Sequence, residues 1–170
     1  MRQDLEFLWY NIEKKRKLGV AMPFTKILVA HDGSELSDVS LMKAIAFARW
    51  DPRLEIHVVH VGNYRLYLKE VMLAGEVKQS ITIPILDHGE GIQRRIKALL
   101  TPLPNPWQIF ILKGYPGQVI IQHAKQYQCD LIIVGSTVKS KWQRWLFGSV
   151  SWYVVQQSPV PVLLIKKKRK

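Results

Sequence analysis

Short apolar runs that alternate with segments of helical periodicity constrain this chain more than any other feature of its sequence. Lys26-Ile27-Leu28-Val29-Ala30 reads as a buried strand ending in the turn His31-Asp32-Gly33-Ser34. Ser34 or Ser37 can cap the next segment, where Leu41, Ile45 and Ala48 recur at helical spacing. Glu55–Val61 is a second strand, rich in the β-formers Ile56, Val58 and Val59 and closed by Gly62. Trp107–Leu112 is a third, punctuated by Gly114. Pro116 suits the first turn of the helix that follows, with Val119, Ile120, His123 and Ala124 on one side. Asp130–Val134 is a fourth strand, stopped by Gly135-Ser136, and Val160–Ile165 is the last. Between these two, Gly148-Ser149 opens a helix with Val150, Tyr153 and Val154 on one face. Strands alternating with helices imply parallel βαβ units. The expected class is α/β: a doubly wound parallel sheet with helices on both faces, since parallel strands need both faces covered.

Two stretches fit this pattern less directly. Gly62–Pro106 is longer than one crossover helix requires. Gln93–Leu100 looks helical, but Ile81, Ile83 and Ile85 alternate like a strand, and Pro84 breaks any helix there. An extra packed element is favoured over a mobile flap. In residues 1–21, Leu5, Leu8, Trp9 and Ile12 fall on one helical face, with acidic groups early and Lys14–Lys17 late. This N-terminal amphipathic extension reads as a helix folded on its own domain or an upstream addition, with docking to another chain or an anionic surface as the other reading. The organisation expected is an extension over 1–21, one domain over 22–166 and a basic tail over 167–170.

The formal net charge of +12 invites a nucleic-acid reading, but its distribution argues against one. Residues 1–21, the loop cations Lys139, Lys141 and Arg144, and the terminal Lys166-Lys167-Lys168-Arg169-Lys170 hold +10 of it, so the body is near neutral. A terminal Lys run reads first as a solvated tail, and contact of the basic ends with a membrane surface is not the favoured reading. No nucleic-acid motif accompanies the charge. With 48% apolar and 22% charged residues, the chain is globular and not disordered, collagen-like or coiled-coil. The single Cys129 excludes an internal disulfide and fits a reducing compartment. No run approaches the roughly 18 apolar residues of a membrane span, and Asp4, Glu6 and Asn11 interrupt any signal-peptide core. A soluble, cytoplasmic protein is expected.

Ligands of a doubly wound sheet sit beyond the carboxyl ends of its strands, where the direction of winding reverses. Ala30–Ser34, Val61-Gly62 and Gly135–Ser151 belong at that edge. Gly148-Ser149 adds a helix N-terminus, whose free N–H groups favour phosphate, and Lys139, Lys141 and Arg144 could add charge. The phosphate-loop and dinucleotide glycine fingerprints are absent, and five scattered His with one Cys give no metal spacing. His57 and His60 read as structural residues, and Cys129, ahead of the fourth strand, as inert. Trp142, Trp145, Leu146 and Phe147 interleave with bases but read as ordinary packing. No nucleophile with an orienting base can be placed at the edge, so an enzyme is not expected.

These pieces, in this order, resemble the universal stress protein family from about Lys26 to Ile165. The resemblance rests on His31-Asp32-Gly33-Ser34, on His60-Val61, on Gly114-Tyr115-Pro116, and most strongly on Asp130-Leu131-Ile132-Ile133-Val134-Gly135-Ser136 followed by Gly148-Ser149-Val150. Members that bind ATP typically show Gly, two residues, Gly, nine residues, then Gly-Ser or Gly-Thr. Gly135 and Gly148-Ser149 hold the outer positions, and Val138 stands where the second glycine would be. The resemblance implies a five-stranded sheet of order 3-2-1-4-5 and a homodimer joined through the strand at 160–165. It implies that Ala30 and Asp32 line the adenosine end, that the backbone of Val61 meets adenine, and that Val134 and Gly135 lie along ribose and phosphates. Val138 would sit beside them, and Gly148, Ser149, Val150 and Ser151 would cradle the phosphates of ATP, with Mg, or of AMP. Two functions follow: a regulatory protein that binds adenine nucleotide weakly, or a stress-response dimer that binds none and acts through an unknown protein partner.

Overall fold

The computed structural model describes residues 22–62, 66–73, 77–84, 89–136 and 149–166, the stretches 66–73 and 77–84 through their backbone. Strands β1 (Lys26–Ala30), β2 (Glu55–Gly62), β5 (Trp107–Lys113), β6 (Leu131–Ser136) and β7 (Val162–Lys166) form one sheet in the order β5-β2-β1-β6-β7. Every pairing in it is parallel, which is the expected 3-2-1-4-5 arrangement. Helices α1 (Glu35–Trp50), α2 (Gly89–Leu100), α3 (Pro116–Gln126) and α4 (Ser149–Gln157) connect and cover it.

Alternation along each strand sorts the apolar side chains into two cores. Ile27 and Val29 of β1, Ile56 and Val58 of β2, and Leu131 and Ile133 of β6 pack with Leu41, Ala44, Ile45 and Ala48 of α1 and Ile96 and Leu100 of α2. Leu28, Ala30, Val59, Ile132 and Val134 face the other way, against Ile120, Ile121 and Ala124 of α3 and Val154 of α4. The strands therefore read as continuous apolar runs because each neighbouring residue serves a different core.

Local chemistry sets the helix starts. Ser34, not Ser37, caps α1: its Oγ accepts the Ser37 N–H at 3.2 Å, while the Ser37 hydroxyl donates back to the Ser34 carbonyl at 2.7 Å. Pro116 opens α3 where its missing N–H costs nothing. The sheet's amino edge is pinned by Asp130, whose carboxylate accepts from Thr25 N and Thr25 Oγ1 at 2.7 Å and from Lys26 N at 3.1 Å.

Several boundaries differ from the sequence reading for tertiary reasons. The fourth sheet strand does not stop before Gly135-Ser136; pairing with Ile165 and Lys166 of β7 carries it through both. β7 begins at Val162, two residues later than expected, after Pro161. The long stretch after Gly62 contains β3 (Leu66–Leu73) and β4 (Val77–Pro84), an antiparallel pair forming its own two-stranded sheet, and then α2. The alternating Ile81 and Ile83 belong to β4, whereas Ile85 lies outside the described residues. The N-terminal extension 1–21, the tail 167–170 and the basic-aromatic segment 137–148, which includes Val138 and Gly148, also lie outside them.

The expected structural histidines find partners. Near the amino edge, His57 Nε2 donates to Glu55 Oε1 at 2.9 Å. Its Nδ1 is therefore the acceptor in the 3.0 Å contact with His123 Nε2. His123 stacks on Tyr127 at 4.3 Å and meets Phe110 edge-on. Cys129 is buried, and burial pushes its thiol up to about 11, so it is unreactive near neutral pH. Among the described residues, no helix is long and apolar enough to cross a membrane.

Candidate functional site

The sheet winds outward from β1 in two directions, to β2 and β5 on one side and to β6 and β7 on the other. The winding reverses between β1 and β6, and their carboxyl ends open a crevice there. Ala30 and Val134 are register partners across it, and Val59 pairs Ala30 from the other side, which brings Val61 to the same edge. α4 leaves β6 and returns to the parallel strand β7, so its first residue, Ser149, lies at this carboxyl edge.

Asp32 is exposed at the mouth of the crevice. Burial of part of its surroundings opposes ionisation, but hydrogen bonds from Ser34 and Ser37 outweigh this and hold the carboxyl below its ordinary range. The Ser34 N–H donates to its Oδ1 at 3.0 Å. The site thus presents a fixed carboxylate, an acceptor suited to hydroxyl and amine donors. Gly33 follows with φ +84°, a conformation that side-chain-bearing residues rarely adopt, and it makes the turn.

His31 is buried behind that turn. Its Nδ1 accepts the Gly33 N–H at 3.2 Å, which leaves the proton on Nε2 to be donated to Asp38 Oδ1 at 3.1 Å. Burial is the main force that pushes its imidazole down to about 4; Asp32 pulls upward, and Arg95 and His60 push further down. His60 Nδ1 donates to the His31 carbonyl at 2.8 Å. His31 falls within the Ala30–Ser34 segment expected at this edge, although no role was assigned to it. Asp38 and Arg95 were not expected here, and nothing local signals Arg95, which arrives on α2.

The anticipated residues divide by orientation. Ala30 and Val134 turn their side chains into the α3/α4 core, as Val61 does in part, so these three offer backbone to the crevice. Gly135, next along β6, faces α1: a Cβ there would come within 3.1 Å of Leu36 Cγ. Its lack of a side chain serves the approach of α1 to β6. Ser149 is exposed, Val150 is half-buried, and Ser151 is buried in α4. Among the described residues, the neighbouring Ser136 hydroxyl is buried without a hydrogen-bond partner, an orphaned polar atom at the carboxyl end of β6. Val138 and Gly148 lie outside the described residues. Among the described residues, no group of three or more His, Cys, Asp or Glu could hold a metal ion.

Residues 23–166 match the universal stress protein family. The universal stress protein MJ0531 of Methanocaldococcus jannaschii is 27% identical over 148 residues, 86% of this chain and 85% of that one. The solved structure of MJ0577, from the same organism, superposes with a TM-score of 0.67 at 25% identity, covering 88% of this chain and all of its own. A universal stress protein crystallised in complex with cAMP shares the fold, with a TM-score of 0.60 at 16% identity over 84% of this chain and 97% of that one.

Proposed function

This chain belongs to the universal stress protein family, and on that premise we propose that it is a regulatory protein that binds an adenine nucleotide, ATP or AMP, weakly in the crevice between β1 and β6. The observation that carries the reading is Asp32: an exposed carboxylate, kept ionised by its own turn, beside the open backbone of paired strand ends. The adenosine end would lie against Ala30, Asp32 and Val61. Val134, Gly135 and Val138 would follow the ribose and phosphates, and Gly148, Ser149, Val150 and Ser151 would receive the phosphates at the start of α4. The orphaned Ser136 hydroxyl suits a polar ligand at that place. Magnesium would accompany ATP. The chemistry assembled here recognises rather than turns over a ligand, so regulation is proposed over catalysis.

Supporting the choice of ligand, a relative of the same fold has been captured with cAMP. The experiment is titration calorimetry with ATP and AMP on the full chain and on Val138→Gly. Weak binding that strengthens in the variant is expected, because glycine removes the β-branch without touching the other contacts. If neither form binds at about 1 mM nucleotide, where a site worth about 4 kcal/mol is half filled, the reading fails. The second function, a dimer that binds no nucleotide and works through a protein partner, then takes its place; Val138 in the glycine position is what favours it.

A division into extension 1–21, domain 22–166 and tail 167–170 is proposed with this function, as is a cytoplasmic setting. A homodimer through residues 160–165 is proposed from β7, which ends the sheet with one edge unpaired among the described strands. Light scattering should give about twice the 19.7 kDa of the chain; a monomer mass across micromolar concentrations would overturn it.

A further inference from the structure

The peptide groups that aim Asp32 are held from outside the crevice. Ser34 N–H, which orients the Asp32 carboxylate at 3.0 Å, belongs to the same planar peptide unit as the Gly33 carbonyl. That carbonyl accepts from Arg95 Nη1 at 3.3 Å. The preceding unit, whose N–H is that of Gly33, is held by His31 Nδ1 at 3.2 Å. His31 and Arg95 are themselves joined, because Asp38 Oδ1 accepts from His31 and Asp38 Oδ2 pairs with Arg95. The contacts close a ring, Gly33 to His31 to Asp38 to Arg95 and back to Gly33. Ile92, one turn before Arg95 on α2, fills the space beside Gly33: a Cβ there would sit 3.0 Å from Ile92 Cδ1.

We infer that Arg95 and His31 are positioning residues for the ligand at Asp32, and that α2 is thereby coupled to occupancy of the crevice. The inference rests on the nucleotide-binding reading above. Losing Arg95 frees the peptide plane between Gly33 and Ser34, and with it the N–H that aims the carboxylate. A ligand bound to a correctly aimed Asp32 must, by reciprocity, tighten α2 on the turn by the same free energy. The side chain of Arg95 is 47% exposed, so its removal leaves both cores intact.

The test uses the full chain, Arg95→Ala and Arg95→Lys, with AMP and adenosine titrated by calorimetry. Arg95→Ala should weaken both ligands by about tenfold, a loss of roughly the size typical of coupled sites. Arg95→Lys, which keeps the Asp38 pair, should fall between it and wild type. Adenosine separates aiming from direct contact: an Arg95 that touched phosphate would leave adenosine binding unchanged, and that result overturns the inference. The His31 ring, followed by NMR, should titrate higher in Arg95→Ala, because a neighbouring positive charge is gone. AMP should slow amide exchange across α2 in wild type and not in Arg95→Ala. If wild type binds AMP and Arg95→Ala binds it equally well, the inference falls and the binding reading stands. If wild type binds neither AMP nor ATP, both fall together.

Discussion

Acid should destabilise this domain well before its carboxylates titrate. His31 and His123 are buried as neutral imidazoles, and burial above all holds each down to about 4, against about 6.5 in an unfolded chain. Unfolding therefore takes up protons between those values. The stability these groups support is complete above about pH 6.5 and is lost as pH falls toward 4. Between pH 7 and pH 5 the linkage amounts to about 2 kcal/mol per histidine, near 4 kcal/mol for both, because the unfolded imidazole is almost fully charged by pH 5. His57 adds in the same sense, since burial lowers it against the pull of Glu55. Asp32, Asp51 and Glu55 are also depressed, but their loss falls in a lower window, below about pH 4.5. The span from pH 7 to 5 therefore isolates the imidazoles. Urea unfolding followed by circular dichroism at pH 7, 6 and 5 is the assay. With a slope of about 2 kcal/mol per molar urea, the midpoint should fall by about 2 M. His123→Phe keeps a ring against Tyr127 but leaves His57 Nδ1 without its donor. It should start about 1–3 kcal/mol less stable at pH 7 and lose roughly a third to a half of the pH dependence. A midpoint that stays level from pH 7 to 5 would refute the reasoning, as would the same fall in His123→Phe as in wild type.

Other substitutions test the packing that shapes the crevice and the sheet. Gly135→Ala places a methyl 3.1 Å from Leu36 Cγ and should cost about 1–3 kcal/mol in thermal or urea unfolding; an unchanged midpoint would mean that α1 does not need this close approach. Asn105→Ala removes the buried amide that Ala48, Asp51 and Leu54 share through their carbonyls at 2.8–3.1 Å, and a loss of about 2–3 kcal/mol is expected from the acceptors left unpaired. Ile133→Ala opens a cavity where β6 meets α1, with Ile133 fully buried, and should cost about 2–5 kcal/mol; a smaller loss would show that the core collapses around it.

What the sequence determined by itself was everything set by near neighbours. The apolar runs at Lys26, Glu55, Trp107 and Leu131 mark strands because alternate residues feed two cores. Ser34 and Pro116 start helices by chemistry confined to a few residues. The strand order came from resemblance to a family rather than from periodicity, which carries no information on which strand lies beside which. Tertiary structure decided the rest. Gly135 and Ser136 look like a stop but continue β6, because the hydrogen bonds offered by β7 are worth more than the local turn preference. Gly135, taken in sequence for phosphate approach, is also required by Leu36, which is a hundred residues away in the chain. The His57–His123 pair and the ring from Gly33 through His31 and Asp38 to Arg95 join residues separated by about sixty positions. Such contacts depend on how the helices settle over the sheet, and no local pattern records that.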